Sequence, residues 1–487
     1  MLKLSKWIRT TAMATLLFAS FSTPIASAEK PRSIADESIY DLLVDRYFNA
    51  TNENDDISKT DPKNPAKFAG GDFQGIIDKL SDIKDLGFTI VSIGSVFATE
   101  SYDGSMVTSY HQLEPNFGTE EEFKKLIQIV KQNGMSIMVD FPLTNVSENH
   151  EWAKDPKKAS WIVGTANGKL RWDLKNEEVQ KALIDAVVQF ASTYDVDGIR
   201  LTNLDIADTE FLNEMIDAIK SVNEQIYVIS NTESNARFDA KFYDEVSQIF
   251  SHAFKNIDED TSDLLKHFEP YAKGEEEIPT QIMIDNVNTD RFLYTAEIYP
   301  PTRLKMALAT TLLLPGVPVM QYGSEIAMNG KAGPEAHQIY NFKTETELKK
   351  YIEDIQLLRN KSETLRRGDF NLIQNKNGLI VFQRSSEDEN WIIVINNTGM
   401  REKIEIPKEF VGENKELRGM LNSEIFREGE DGIFRIIQDR EVVEIYQVID
   451  EQGINISYIL AMAFVYIIFI VFIISLIKRG KRKRSQG

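Results

Sequence analysis

Cysteine is absent from all 487 residues. That excludes disulfides, cysteine nucleophiles and thiolate metal sites. A chain this long can bury enough core to fold without such cross-links. Histidine is scarce as well. His111, His150, His252, His267 and His337 are the only five, and no two share a metal-ligand spacing. Basic residues are outnumbered, with 55 Lys and Arg against 75 Asp and Glu, a formal net charge of −20. Lys3, Lys6 and Arg9 near one end and the run from Lys478 to Arg484 near the other lie in segments without acids, so the rest is more acidic still. Such a body repels phosphate backbones and excludes nucleic acid as a partner.

What is present at the ends is equally directive. The basic residues to Arg9, the apolar stretch Thr11 to Phe21 and the small residues Ala26-Ser27-Ala28 read as a secretory signal cleaved near Ala28. From Ile456 to Ile477 no charge interrupts a run of Ile, Phe, Val and Leu. It makes about 33 Å of helix, enough to cross a bilayer. Lys478-Arg479-Gly480-Lys481-Arg482-Lys483-Arg484 follows at once and places the tail in the cytoplasm. The expectation is a single-pass cell-membrane protein with its body outside the cell. A cysteine-free exported chain also fits a bacterial surface.

Between these ends, apolar strand-like runs alternate with amphipathic helical stretches. The strand candidates are Ile39–Arg46, Thr89–Phe97, Ser136–Leu143, Gly198–Asn203, Ile226–Ser230, Gln248–Phe254, Gln281–Asn286 and Val317–Gln321. Ile76, Leu80 and Ile83 repeat at helical spacing, and Thr119 with Glu122 forms a capping box. Asn176 to Tyr194 and Pro301 to Leu314 read as further helices. Eight strands alternating with helices predict a closed parallel barrel or a doubly wound sheet. After Arg367-Gly368-Asp369 the pattern becomes short strands alone, at Leu379–Arg384, Trp391–Asn396, Lys403–Ile406, Ile433–Gln438 and Val442–Val448, a small antiparallel domain.

Five stretches in order carry a family resemblance: Val44-Asp45-Arg46-Tyr47-Phe48, Gly70-Gly71-Asp72-Phe73 with Leu86-Gly87, Phe117-Gly118-Thr119, Pro315-Gly316-Val317-Pro318 with Tyr322-Gly323, and Leu365-Arg366-Arg367-Gly368. Together they resemble glycoside hydrolase family 13, the α-amylase family. The resemblance implies a (β/α)8 TIM barrel over 29–365, with a short insert after strand three at about 145–172 and the site at the C-terminal strand ends. It implies a C-terminal antiparallel β-sandwich over 366–448, followed here by a link over 449–455, a transmembrane helix over 456–477 and a basic tail over 478–487.

Such enzymes cleave α-glucosidic bonds with retention, which needs a nucleophile and an acid, both carboxyl groups, about 5 Å apart. Residue by residue, this chain departs from that set. Asp140 keeps the third-strand aspartate, while Thr144 stands where the family has a calcium-binding asparagine and Asn145 where it has a histidine. Arg200 keeps the fourth-strand arginine, but the nucleophile position holds Thr202. Asn231 stands at the general acid, and Asn288 at the third carboxylate beside the retained Asn286. Ser105 replaces a sugar-stacking tyrosine. Asparagine cannot exchange a proton as a carboxyl group does, and threonine without an adjacent base is a poor nucleophile. The resemblance therefore implies a pseudoenzyme of carbohydrate metabolism, with Asp140, Asn145, Arg200 and Asn286 left as substrate-binding residues.

Asp205, Glu233 and Asp290 lie close to the vacated positions and are candidates for displaced carboxylates; Asp205 also suits a helix cap and Asp290 a local ion pair with Arg291. The segment Asn49, Asn54 and Asp55 with Gly70 and Asp72 resembles a calcium site of some family members, offering the oxygen ligands Ca2+ prefers. Trp152, Trp161 and Trp172 are either sugar platforms or the core of the insert. Three functions stand open. One is an inactive surface protein that binds an α-glucan, a cell-wall glycan or a protein. Another is an atypical hydrolase. The third is an accessory subunit of a membrane transporter.

Overall fold

The computed structural model describes residues 32–204, 207–275, 277–344, 347–451 and 456–484; the expected signal segment lies outside them. A parallel sheet forms the centre of the body. Its strands are β1 (Ile39–Asp41), β2 (Ile90–Ser92), β3 (Ser136–Pro142), β4 (Gly198–Thr202), β5 (Tyr227–Ser230), β6 (Gln281–Ile282) and β7 (Val317–Gln321). They neighbour one another in the order β5-β4-β3-β2-β1-β7-β6.

The gap between β5 and β6 is filled by 239–241. Asp239 donates its N–H to the Val228 carbonyl (2.9 Å), Lys241 donates to Pro279 (2.8 Å), and Gln281 donates back to Lys241 (2.8 Å). This short stave occupies the sixth position of the barrel. Gln248–Phe254, expected there, is instead helical: Val246–Phe254 forms a helix that buries Val246, Phe250, Ala253 and Phe254. Those positions recur at three and four residues, a helical period that a short apolar run conceals. Ile39–Arg46 is likewise strand only as far as Asp41, and Val44–Tyr47 turns into a helix.

The helices follow their sequence signals more closely. α1 (Glu120–Gln132) is capped by Thr119, whose hydroxyl accepts the Glu122 N–H while the Glu122 carboxylate accepts the Thr119 N–H. α2 (Glu177–Thr193) starts at the Asn176 cap, and α3 (Thr209–Val222) at the Asp208 cap. The helix Val246–Phe254 is α4. α5 (Pro300–Leu313) is buried along most of its length, and α6 (Glu347–Lys361) packs beside it.

The insert forms a three-stranded antiparallel sheet of Val146–Ser147, Ile162–Ala166 and Lys169–Trp172. Trp152, Trp161 and Trp172 are buried; Trp152 meets the rings of both others, and His150 meets Trp152 and Trp172. They are the core of the insert, not sugar platforms.

The C-terminal domain is a β-sandwich. Its strands are β8 (Asp369–Lys376), β9 (Leu379–Ser385), β10 (Asn390–Asn396), β11 (Glu402–Pro407), β12 (Lys415–Gly419), β13 (Ile425–Arg427), β14 (Ile433–Gln438) and β15 (Val442–Asp450). A six-stranded sheet faces the β11–β14 pair across Val381, Ile392, Val394, Ile404, Ile406, Phe434 and Ile436. The domain is fixed to the barrel by Arg303, which pairs with Glu441 at 3.0 Å and with Asn397, and by Arg366 and Arg367, which both pair with Asp36. Beyond it, Ile456–Arg484 is one helix, and its stretch Leu460–Ile477 is long and apolar enough to cross a membrane.

Candidate active site

The C-terminal strand ends gather most of the expected residues. Asp140 on β3 and Arg200 on β4 are direct register partners. Arg200 donates to Asp140 through Nε (2.7 Å) and Nη2 (2.9 Å). Its Nη1 and Nη2 also donate to Asp41 at 3.0 and 2.9 Å. One guanidinium therefore holds two carboxylates, each in a bidentate fork. Burial, partly offset by Arg200, raises the Asp140 pKa, and the carboxylates hold Arg200 firmly charged.

Asp41 was not among the residues the motifs singled out. Its signal was available, because a carboxylate at the C-terminal end of a barrel strand is placed in the site. It also accepts from the Ser92 hydroxyl at 2.8 Å.

Asn231 and Asn288 come to one pocket. With Asp41, Arg200 and Asn286 they line one cavity of about 20 Å³, room for about one water. The single carboxylate in its lining is Asp41, already bound to Arg200. Thr202 is buried at the end of β4. Asn286 spends its Oδ1 on the Asn288 N–H (2.9 Å) and so shapes its own turn. Asn145 sits at a left-handed φ of 60° at the start of the insert. Thr144, where the resemblance places a calcium ligand, accepts the Trp172 N–H at 2.8 Å and ties the insert to the barrel.

Among the described residues, Glu233 and Asp290 are placed apart from one another's contacts. Glu233 is exposed. Asp290 accepts the Ala332 N–H at 2.7 Å, and the expected Asp290–Arg291 ion pair is absent. Arg291 is buried and instead lies 3.7 Å from Asp285, donating to the Tyr322 and Ala336 carbonyls. Asp205 lies outside the described residues.

A second structure at the rim was also missed. The Arg46 guanidinium stacks 3.8 Å above the Tyr102 ring. The Tyr102 hydroxyl bonds to His337 Nδ1, and His337 Nε2 bonds to the Val287 carbonyl, both at 2.9 Å. A carbonyl only accepts, so Nε2 carries the proton and Nδ1 accepts from tyrosine. Burial fits this neutral form and pushes the His337 pKa down to about 4. Beside it opens a hollow of about 470 Å³ between 62–65 and 334–339, with no Phe, Tyr or Trp in its lining.

The calcium-like loop keeps several features of a cation cradle. Gly70 has a φ of +96°, and a Cβ there would lie 2.7 Å from Asp55 Oδ1 and collide with Asn49. Asn54 Oδ1 and Asp55 Oδ1 are buried oxygens without a hydrogen-bond partner. Asp72 accepts from Gly75, Ala50 and Thr51 N–H groups, and Asn49 Nδ2 donates to Asp55 (3.1 Å). The orphaned oxygens fit an oxygen-seeking cation.

Known proteins agree with this architecture. Residues 42–169 match the model of the α-amylase catalytic domain, and 368–446 that of an α-amylase C-terminal domain. The structure of an Anoxybacillus α-amylase is 32% identical, covers 87% of this chain and 100% of its own, and superposes with a TM-score of 0.82. The chain belongs to the α-amylase family, glycoside hydrolase family 13. Among other members, the Geobacillus thermoleovorans α-amylase solved with acarbose is 29% identical, with 86% and 100% coverage and a TM-score of 0.80. The cyclomaltodextrinase of Thermoanaerobacter pseudethanolicus is 25% identical over 418 residues, 77% of this chain and 72% of that enzyme.

Proposed function

We propose that this α-amylase-family chain is a catalytically silent member, anchored in the cell membrane by its C-terminal helix, that works from the outer surface as a protein-binding scaffold. The observation that supports this most is that Asn231 and Asn288 line one pocket whose only lining carboxylate, Asp41, is held by Arg200. No free pair of carboxyl groups faces across it. Losing one acid or base typically costs 10²–10⁴-fold in rate, and here all three family positions are changed.

The distribution of exposed apolar side chains favours a protein partner over a glucan in the cleft. Among the described residues of the body, only two aromatic rings are exposed, Tyr294 and Tyr299. Both lie with the exposed Ile298 in the loop after β6. Tyr299 also holds a left-handed φ of 45°, a conformation a bulky residue adopts at some cost. A membrane-protein partner, including a transporter, fits the same anchored body.

The test is a turnover assay of the body at high protein concentration on maltooligosaccharides and starch, beside the Glu233→Gln variant, with retardation of the protein in glucan-containing gels. The expected result is no hydrolysis above the buffer control and no retardation. Turnover that disappears in Glu233→Gln would overturn the proposal and make Glu233 the acid. Retardation without turnover would make the ligand a glycan.

We also propose that Ca2+ is held by Asn49, Asn54, Asp55, the Gly70 carbonyl and Asp72, as a structural ion. Bound there, it would satisfy the orphaned oxygens and fix the long loop after β1. Calcium at a hundredfold excess over its dissociation constant should stabilise the body by about 2.7 kcal/mol, and Asp55→Ala should abolish the gain. Thermal unfolding in calcium against chelator checks this; identical curves would remove the ion from the picture.

A further inference from the structure

We infer that the closed face of the barrel looks at the bilayer and the mouth looks away from it. This rests on the proposed membrane anchor, and it follows from where the anchor leaves the fold.

The two ends of the C-terminal domain are fixed to opposite ends of the barrel. At one end Glu441, just before β15, pairs with Arg303 at the start of α5. That helix begins on the mouth side, because it follows the loop leaving the C-terminal end of β6. At the other end Arg384 of β9 donates to the Leu313 carbonyl, where α5 finishes (3.4 Å), and to Gly368 (3.0 Å). Nearby, Arg359 donates to the Ala35 and Gly316 carbonyls, which precede β1 and β7 at their N-terminal ends. This is the closed face.

Register carries the direction across the sheet. Asn396 of β10 pairs with Val442, Arg384 pairs with Trp391, and Trp391 pairs with Gln447. β15 therefore runs from the mouth side to the closed side, about 27 Å at the usual rise per residue. It continues to Asp450, which pairs with Lys415. From Glu451 the chain reaches the helix beginning at Ile456, a link that spans about 18 Å at most. The bilayer must then lie beyond the closed end, with the mouth more than a strand's length farther out.

A soluble or cell-surface partner then meets the mouth and the Tyr294–Tyr299 loop, whereas a membrane-embedded partner meets the β-sandwich end.

The chain contains no cysteine, so single labels are specific. The full chain carrying Glu413→Cys or Asp388→Cys at the closed end, or Asn288→Cys or Glu233→Cys at the mouth, is labelled with a donor fluorophore. Each is reconstituted in liposomes of phosphatidylcholine and phosphatidylglycerol with an acceptor on the headgroups. Two positions per end guard against a single variant that misfolds. Transfer is expected to be several-fold stronger from the closed-end labels than from the mouth labels, whichever way the helix inserts. Equal or stronger transfer from the mouth, in protein that floats with the liposomes, overturns the orientation alone. Protein that does not float removes the anchor, and the orientation with it.

Discussion

Replacing Arg200 with leucine is expected to destabilise the body by about 3–5 kcal/mol, the usual consequence of removing one partner from a buried ion pair. The reason is the asymmetry of the cluster. Arg200 is buried and, among the described residues, is the only cation bonded to both Asp41 and Asp140. Without it, two carboxylates face each other in a poorly solvated barrel end, and each must be protonated or drag in water. A triple variant, Asp41→Asn with Asp140→Asn and Arg200→Leu, should recover most of the loss, because it leaves neutral groups of similar shape. Urea unfolding with an unchanged slope measures both differences. An Arg200→Leu chain as stable as its parent would mean that the cluster is solvated and does not brace β1, β3 and β4.

The second large effect is expected in acid. His150 is fully buried among Tyr110, Trp152 and Trp172. Burial first, then the positive charges of Lys158, His111 and Lys154, pushes its pKa down to about 3. The unfolded chain keeps the ordinary value near 6.5. A depressed histidine pKa means that the unfolded state binds the extra proton first. The stabilisation is therefore complete above about pH 6.5 and is lost as pH falls toward 3, up to about 4–5 kcal/mol. His150 Nδ1 accepts the Trp152 N–H at 3.1 Å, and an asparagine oxygen can take that place. His150→Asn should therefore flatten the fall in stability between pH 6.5 and 4, measured by urea unfolding at each pH. Asp45, raised to about 6 by burial, acts with the opposite sign. Its contribution grows as pH falls from 6 toward its unfolded value, so the parent's decline is the difference between the two. A variant with the same acid dependence as the parent would show that the insert core takes up no proton on unfolding.

The barrel was legible wherever apolar runs coincided with turn signals. Val317–Gln321 and Ile433–Gln438 were readable to the residue, and the Thr119 capping box and the Asn176 cap marked their helices. Gln248–Phe254 was misread because seven apolar-rich residues do not reveal their period. The true sixth stave, 239–241, was invisible. Three residues carry no alternation, and one of them, Asp239, works through a carboxylate that accepts the Val228 N–H (2.6 Å). Asp369–Lys376, Lys415–Gly419 and Ile425–Arg427 escaped notice for a related reason. Their polar, partly exposed sequences pair through backbone groups that composition does not report.

At the site, the motifs located Asp140, Arg200, Asn231 and Asn288 but not their bonding. That Asp41 shares Arg200, and that His337 joins Tyr102 to the Val287 carbonyl, depends on chain segments far apart in sequence. Spacing holds no record of such meetings.

The thin seam between Asp239 and Ile282 has a mechanical meaning. Most staves of the barrel share ladders of three to five paired residues, but here the ring is closed by a few backbone bonds. A closed ring opens where it is narrowest, and this place adjoins the turn that carries Asn286 and Asn288. The seam is therefore the weakest join of the ring, and its amide hydrogens are expected to exchange before those of the β3–β4 ladder that Arg200 spans.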